Sequence, residues 1–133
     1  MGKTEKQPFQ NKCNQILESS ARQGHDVSDK WQMVNDQLKS DAFLAKSLYD
    51  GNRLRILLLI SSGRKSVSAI VEELDLSQPL VSHHLKELKR SLMVKVERVG
   101  PFVYYELADD RILKVLKILS DVATDLLSGR KLF

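Results

Sequence analysis

Hydrophobic residues recur at helical spacing along most of the chain and alternate with polar residues in one short stretch. In the longest N-terminal run, Trp31, Val34 and Leu38 lie three and four positions apart. This spacing places them on one face of a helix. The next residues, Ser40 and Asp41, both favour helix caps, so the pattern leaves open whether the helix breaks there or continues.

The run RLRILLLISSG, from Arg53 to Gly63, is apolar at six of seven consecutive positions. Such a run is compatible with either a buried strand or a buried helix. Asp50 just ahead of it is a good helix cap, and Gly63 is a good helix stop. We therefore predict a buried helix, followed by a basic loop at Arg64 and Lys65.

Two short helices joined by a tight turn are predicted next. Ser66 or Ser68 caps the first helix, and Ser77 caps the second, whose Pro79 falls in the first turn where its missing N–H costs little. One side of the second helix is a stripe spaced for burial, formed by Val81, Leu85, Leu88 and Leu92. Its other side carries groups that can bind phosphates or read base edges, namely Gln78, Ser82, His83, Lys86, Lys89 and Arg90.

The period then changes from helical to alternating. Residues 94–99 alternate apolar and polar, Gly100 and Pro101 mark a turn, and residues 102–107 are rich in β-branched and aromatic side chains. This pattern predicts a two-stranded hairpin. A helix-turn-helix followed directly by a hairpin is a winged helix, so the predicted fold is mainly α with a small β-hairpin wing (α+β).

The last predicted helix begins at Asp109 or Asp110 and ends at Gly129. Its main apolar stripe has heptad spacing and consists of Ile112, Val115, Leu119, Val122 and Leu126. Five further apolar residues widen this face beyond what a surface helix of a monomer needs. Part of the face is therefore expected to pair with another subunit, the alternative being that all of it packs within the chain.

Composition adds a modest constraint on function. The 133 residues carry a net charge of +4, and the surplus lies after residue 51, because residues 1–51 hold seven basic and seven acidic side chains. A mildly basic chain permits nucleic-acid binding without requiring it. The single cysteine, Cys13, lies in a weak helical pattern at residues 11–23 and indicates a reducing compartment. Without an apolar run long enough to span a bilayer, the chain is expected to be cytoplasmic and to have no membrane partner.

Two segments of the sequence, LYDGNRLRILLLI and VSAIVEELDLSQPLVSHHLKELKRSLMVKVERVGPFVYYEL, resemble the ArsR-like family of small dimeric winged-helix repressors. The resemblance covers the chain from about Phe43 to Leu119. It implies a homodimer joined by the N- and C-terminal helices. The residues expected at that interface are Trp31, Val34, Leu38, Ile112, Val115, Leu119, Val122 and Leu126.

The resemblance also implies which residues contact DNA. It assigns the helix positions Ser77, Gln78, Ser82, His83 and Lys86 and the wing positions Arg98 and Tyr104. Physical chemistry agrees for the helix, since Gln can pair with adenine by two hydrogen bonds and Lys89 and Arg90 suit phosphates. Of the two adjacent histidines, His84 is expected to face inward. Leu80 departs from the family pattern, which usually has a small residue or threonine there, and Gly51-Asn52 replaces a common Pro-Thr pair.

Metal sensing, a well-known activity of the family, is not expected at the usual family sites. Residues 66–76 contain no cysteine or histidine, and residues 109–129 contain no histidine or glutamate. Asp121 and Asp125 alone would make a poor transition-metal site. A site shared between subunits at Cys13 stays open as an alternative. We therefore predict no metal, no cofactor and no particular effector.

The sequence thus predicts a sequence-specific regulator, a repressor that binds a palindromic operator on double-stranded DNA as a homodimer. Its predicted parts are an N-terminal helical extension (1–40), a winged helix-turn-helix domain (41–108) and a C-terminal dimerisation helix (109–133). The alternatives are a protein-interaction module and a metal- or thiol-responsive repressor that uses Cys13. No acid–base pair, activated nucleophile or phosphate loop suggests an enzyme.

Overall fold

The computed structural model describes residues 27–129 together with Asn11 and Gln15. The chain divides into two compact units, one ending at Phe43 and the other beginning at Leu44. Most of the weak helical pattern at residues 11–23, including Cys13, lies outside the described residues.

Residues 27–129 contain five helices and three strands. The helices are α1 (Val27–Ser47), α2 (Gly51–Ile60), α3 (Val67–Leu74), α4 (Gln78–Arg90) and α5 (Arg111–Leu127). The strands are β1 (Lys65–Ser66), β2 (Val94–Val99) and β3 (Phe102–Leu107). The predicted fold class, mainly helical with a small hairpin wing, is confirmed.

Helix α1 continues through the residues where a break was left open. The Ser40 hydroxyl donates to the backbone carbonyl of Asp36 at 3.2 Å, and the Gln37 side chain donates to the Asp41 carboxylate at 2.9 Å. Both polar side chains are therefore bonded within the helix, Ser40 to a carbonyl one turn back and Asp41 to a side chain, so neither ends the helix.

Helix α2 settles the choice between strand and helix for the apolar run. The Asp50 carboxylate accepts from the backbone N–H groups of Asn52 and Arg53 at 2.8 and 3.1 Å, as an N-cap does. Along the helix, Ile56, Leu57 and Ile60 are buried, whereas Leu58 is 52% exposed. The run is thus amphipathic, although nearly every residue in it is apolar.

One hydrophobic core holds α2–α5 and the sheet together. Its buried members are Ile56, Leu57, Ile60, Ile70, Val81, Leu85, Leu88, Met93, Val94 and Leu116. Helix α4 contributes three of these side chains, which anchors that helix firmly and leaves its opposite side free.

The sheet has a strand that sequence patterning missed. Its order is β1-β3-β2, with all pairs antiparallel. Lys65 and Ser66 pair with Tyr105 and Tyr104 of β3, so the predicted basic loop at Arg64 and Lys65 is wrong for Lys65. Two residues are too few to show the alternation by which a strand is recognised.

Candidate nucleic-acid interface

The turn between α3 and α4 is fixed by local hydrogen bonds. Helix α3 ends at Leu74, and the N–H of its C-cap residue, Asp75, donates to the carbonyl of Val71. The left-handed backbone of Asp75 (φ 53°) lets the next N–H, that of Leu76, donate to the same carbonyl at 3.3 Å. The Arg55 guanidinium donates to the carbonyl of Leu74 at 3.0 Å. At the start of α4 the Ser77 hydroxyl accepts from the N–H of Leu80 at 3.4 Å, which confirms the predicted N-cap.

Helix α4 separates into an anchored side and a free side. Val81, His84, Leu85 and Leu88 are buried, and His84, at 4% exposure, faces inward as predicted. The predicted DNA-contacting residues of the helix are all exposed, namely Ser77, Gln78, Ser82, His83, Lys86, Lys89 and Arg90. The structure therefore brings these seven residues together on one accessible face.

Few side chains on this face bind other parts of the described chain. Arg90 forms an ion pair with Glu87 at 3.3 Å, one turn back along the helix. Within the part of the chain that the structure describes, the side chains of Gln78, Lys86 and Lys89 form no hydrogen bond or ion pair. Because donors with no internal partner keep their full capacity for an external acceptor, the face is chemically suited to a polyanion.

His84 links α4 to the start of α2. Its Nε2 lies 3.7 Å from Oδ1 of Asp50, the N-cap of α2, and within the described residues its Nδ1 has no hydrogen-bond partner. Burial lowers the pKa of His84 below 6.5, Asp50 opposes this shift, and the charges of Arg53 and His83 add to it. Burial raises the pKa of Asp50, but backbone N–H groups and the charge of His84 bring it below 3.8 overall.

The depressed pKa of His84 makes stability depend on pH. As pH falls through 6.5, the unfolded chain binds a proton at this residue before the folded chain does, so stability is lost on acidification. Replacing His84 with Gln should flatten the stability profile between about pH 7 and 5, by up to about 1.4 kcal/mol per pH unit. Urea unfolding at a series of pH values measures the profile.

His83→Gln is the matched control, since this neighbouring ring is exposed. A wild-type profile that is already flat over this range would contradict the prediction. A profile that His83→Gln flattens as much as His84→Gln would contradict it as well.

The two predicted wing residues lie on opposite faces of the hairpin. Side chains alternate along a strand, and Tyr105 and Leu107 of β3 pack against the core. Tyr104 is therefore on the outer face, next to its cross-strand partner Glu97. Arg98 is on the core-facing side, but it is exposed and lies toward the tip.

Sequence reasoning missed the role of Arg64. Its guanidinium lies 4.7 Å from the ring centre of Tyr104, and its Nη1 is 2.6 Å from the Glu97 carboxylate. These partners are 33 and 40 positions away along the chain, so no local pattern could have indicated the contact. Tyr104, predicted to contact DNA, is half-buried with Arg64 over its ring.

The predicted dimer-interface residues differ in their exposure. Val115, Leu119, Val122 and Leu126 of α5 are 46–69% exposed, and Leu38 of α1 is exposed as well. Trp31 and Ile112 are half-buried. Val34, at 4% exposure, is already buried within the single chain and so offers little surface to a partner.

An open apolar groove lies beside the exposed face of α5. It has a volume of about 660 Å³ and is lined by residues of both α2 and α5. Its apolar lining consists of Leu54, Leu58, Leu113, Leu116, Leu119 and Ala123. Leu119 belongs both to this groove and to the exposed stripe of α5, so the groove and the stripe form one apolar surface that is open in the single chain.

The described residues contain neither a metal-binding cluster nor a membrane-spanning helix. Among residues 27–129, Asn11 and Gln15, no three His, Cys, Asp or Glu side chains are placed to hold a metal ion. Cys13 and His25 lie outside these residues. No helix in the described part of the chain is long and apolar enough to cross a bilayer.

The core, the turn at residues 75–77 and the hairpin after α4 define a winged helix-turn-helix protein. Residues 50–96 match the family described as bacterial regulatory protein, arsR family. An uncharacterized HTH-type transcriptional regulator of Methanocaldococcus jannaschii is 34% identical over 88 residues, which are 65% of this chain and 99% of that protein. The chain belongs to the arsR family of bacterial regulatory proteins.

Two other comparisons extend this result. The transcriptional repressor SdpR of Bacillus subtilis is 37% identical over 62 residues, which are 47% of this chain and 69% of that protein. A solution structure from Mycobacterium bovis, titled a homodimeric winged helix-turn-helix DNA-binding domain of a possible ArsR-family regulator, superposes with a TM-score of 0.65. It is 25% identical and covers 84% of this chain and 98% of its own.

Proposed function

We propose that this chain is a sequence-specific DNA-binding transcriptional regulator, and that it acts as a repressor. The observation that carries the proposal is the exposed face of α4, where the side chains of Gln78, Lys86 and Lys89 have no partner among the described residues and the opposite side of the helix is anchored in the core. The SdpR relative is named a repressor, and the M. bovis neighbour is titled a DNA-binding domain.

The regulator acts as a homodimer through α5. The apolar residues on α5 exceed what the core of one chain covers, and the M. bovis neighbour is titled homodimeric. A two-fold dimer presents two copies of α4, which enter successive major grooves about 34 Å apart. The DNA site is then an imperfect palindrome, because the symmetry of the protein is repeated in its target.

The roles of the DNA-facing residues follow from their chemistry. Gln78 and Ser82 lie four positions apart in the first turns of α4, where they can reach base edges. Lys86, Lys89, Arg90 and Arg98 bind phosphates, which fixes the register of the protein without reading sequence. A protein-interaction module would have no need for such a cationic face.

The salt dependence of binding tests the proposal directly. Four phosphate-binding side chains in each of two subunits give eight contacts, so log affinity should fall against log salt with a slope of about −7. The measurement is fluorescence anisotropy with a labelled duplex from the region upstream of the protein's own gene. A scrambled duplex of the same length and composition is the control. Binding that is absent, or independent of salt, would overturn the proposal.

A further inference from the structure

The segment between α2 and α3 engages the hairpin in two ways: β1 pairs with β3, and the side chain of Arg64 contacts both strands of the hairpin. Arg64 pairs with Glu97 of β2 through one nitrogen, and its guanidinium carbon lies over the ring of Tyr104 of β3. Glu97 and Tyr104 are direct cross-strand partners. One guanidinium therefore spans both strands of the hairpin. A guanidinium carries several N–H donors on one planar group, so it can form an ion pair through one nitrogen while its carbon lies over an aromatic ring.

The contact falls where the hairpin leaves the core. On the core-facing side, the last pair that includes a core-packed residue is Val96 with Tyr105. Arg64 covers the next pair outward, on the opposite face. Only two pairs, Arg98 with Val103 and Val99 with Phe102, lie beyond it. A two-stranded hairpin is marginal by itself, so the direction of this tip depends on how its base is held.

The neighbouring cation has a different partner. Lys65 pairs with Glu73 of α3 at 3.1 Å, so it ties the segment to the first helix of the helix-turn-helix. Arg64 then ties the same segment to the hairpin. Together they connect the hairpin to the helices through charged side chains at the surface.

We propose that Arg64 is a positioning residue that fixes the outer half of the wing, so that Arg98 is held where it binds DNA. The proposal has two steps, and the second, in which the ordered wing holds Arg98 against DNA, rests on the proposed function. Its first step, the ordering of the tip by Arg64, concerns the free protein and can be tested without DNA.

Hydrogen exchange of the free protein tests the first step. In Arg64→Gln, the amides of residues 98–103 other than Pro101, which has no N–H, should exchange about five- to tenfold faster, while those of residues 94–96 stay as in wild type. Lys65→Gln is a matched control, because it removes the same charge from the adjacent position and leaves the hairpin contact in place. Unchanged exchange at residues 98–103 in Arg64→Gln, or equal acceleration in Lys65→Gln, would overturn the proposal.

Coupling between Arg64 and Arg98 tests the second step. With the labelled upstream duplex, Arg64→Gln should weaken binding about fivefold in a wild-type background and less than about twofold in an Arg98→Gln background, since coupled sites are not additive. Lys65→Gln should show no such coupling. An equal loss from Arg64→Gln in both backgrounds would refute positioning through Arg98. If the wild-type protein binds no DNA, the proposed function fails, and the exchange result still decides whether Arg64 orders the wing.

Discussion

Replacing Leu119 with Glu is expected to dissociate the homodimer and to weaken binding to the palindromic duplex by about a hundredfold, or about 2.7 kcal/mol. Leu119 lies in the middle of the exposed stripe of α5 and is 47% exposed in the single chain. A two-fold interface contains every residue twice, so the change places two unpaired carboxylates in apolar surroundings. A monomer can then occupy only one half of the palindrome. Sedimentation equilibrium measures the dissociation, and anisotropy measures the loss of binding.

A matched control lies on the same helix. Thr124→Glu introduces the same charge five positions further on, about 140° around the helix from Leu119, and its site is exposed. It should leave both the dimer and DNA binding near their wild-type values. Leu126→Glu provides a second test of the stripe at a residue that is 69% exposed, where folding of the single chain is at little risk. A dimer that survives both Leu119→Glu and Leu126→Glu would exclude this face as the interface.

Much of the fold could be predicted because its signals are local. Asp50 and Ser77 cap helices with side chains that reach only two or three residues ahead. The alternation at residues 94–99 indicated a strand, and the stripe from Val81 to Leu88 indicated the buried side of α4. Each of these patterns depends on the period of one element, which the sequence contains in full.

The parts that could not be predicted depend on contacts distant along the chain. Strand β1 exists because two residues reach an edge of β3 nearly 40 positions later. Arg64 lies outside any helix or strand, as predicted, but its contacts with Glu97 and Tyr104 could not be predicted, because these residues become its neighbours only after the hairpin has formed. Val34 has the spacing of the predicted interface stripe that includes Trp31 and Leu38. Only its burial within the single chain shows that it offers little surface to a second subunit.

The exposed face of α4 could be predicted because the helix has one buried side and one exposed side. The same division allows the roles of the exposed residues to be tested separately. Its anchored and free sides differ residue by residue, so the free side can be changed without touching the core. Within that side, the amide and hydroxyl groups stand near the N-terminus of the helix and the cations stand toward its C-terminus. Readout of bases and attraction to phosphates should therefore be separable by substitution.

Replacing Gln78 and Ser82 together with Ala is expected to lower affinity for the palindromic duplex by about ten- to a hundredfold and to change affinity for the scrambled duplex little. A bidentate contact between a side chain and a base is worth about 1–3 kcal/mol of discrimination, and that energy is absent on the wrong sequence. Both side chains are exposed and contribute nothing to the core, so folding should be unaffected. Parallel anisotropy titrations with the two duplexes at one salt concentration measure the ratio of affinities.

Lys89→Ala is the contrasting variant on the same helix. Its ammonium group is exposed and, within the described residues, has no internal partner. It should weaken binding to both duplexes by similar factors and reduce the steepness of the salt slope by about 1.8, because each dimer loses two phosphate contacts. A double Gln78/Ser82 variant that loses affinity equally on both duplexes would remove these residues from base readout. Discrimination would then have to come from His83 at the centre of the helix or from the shape of the DNA.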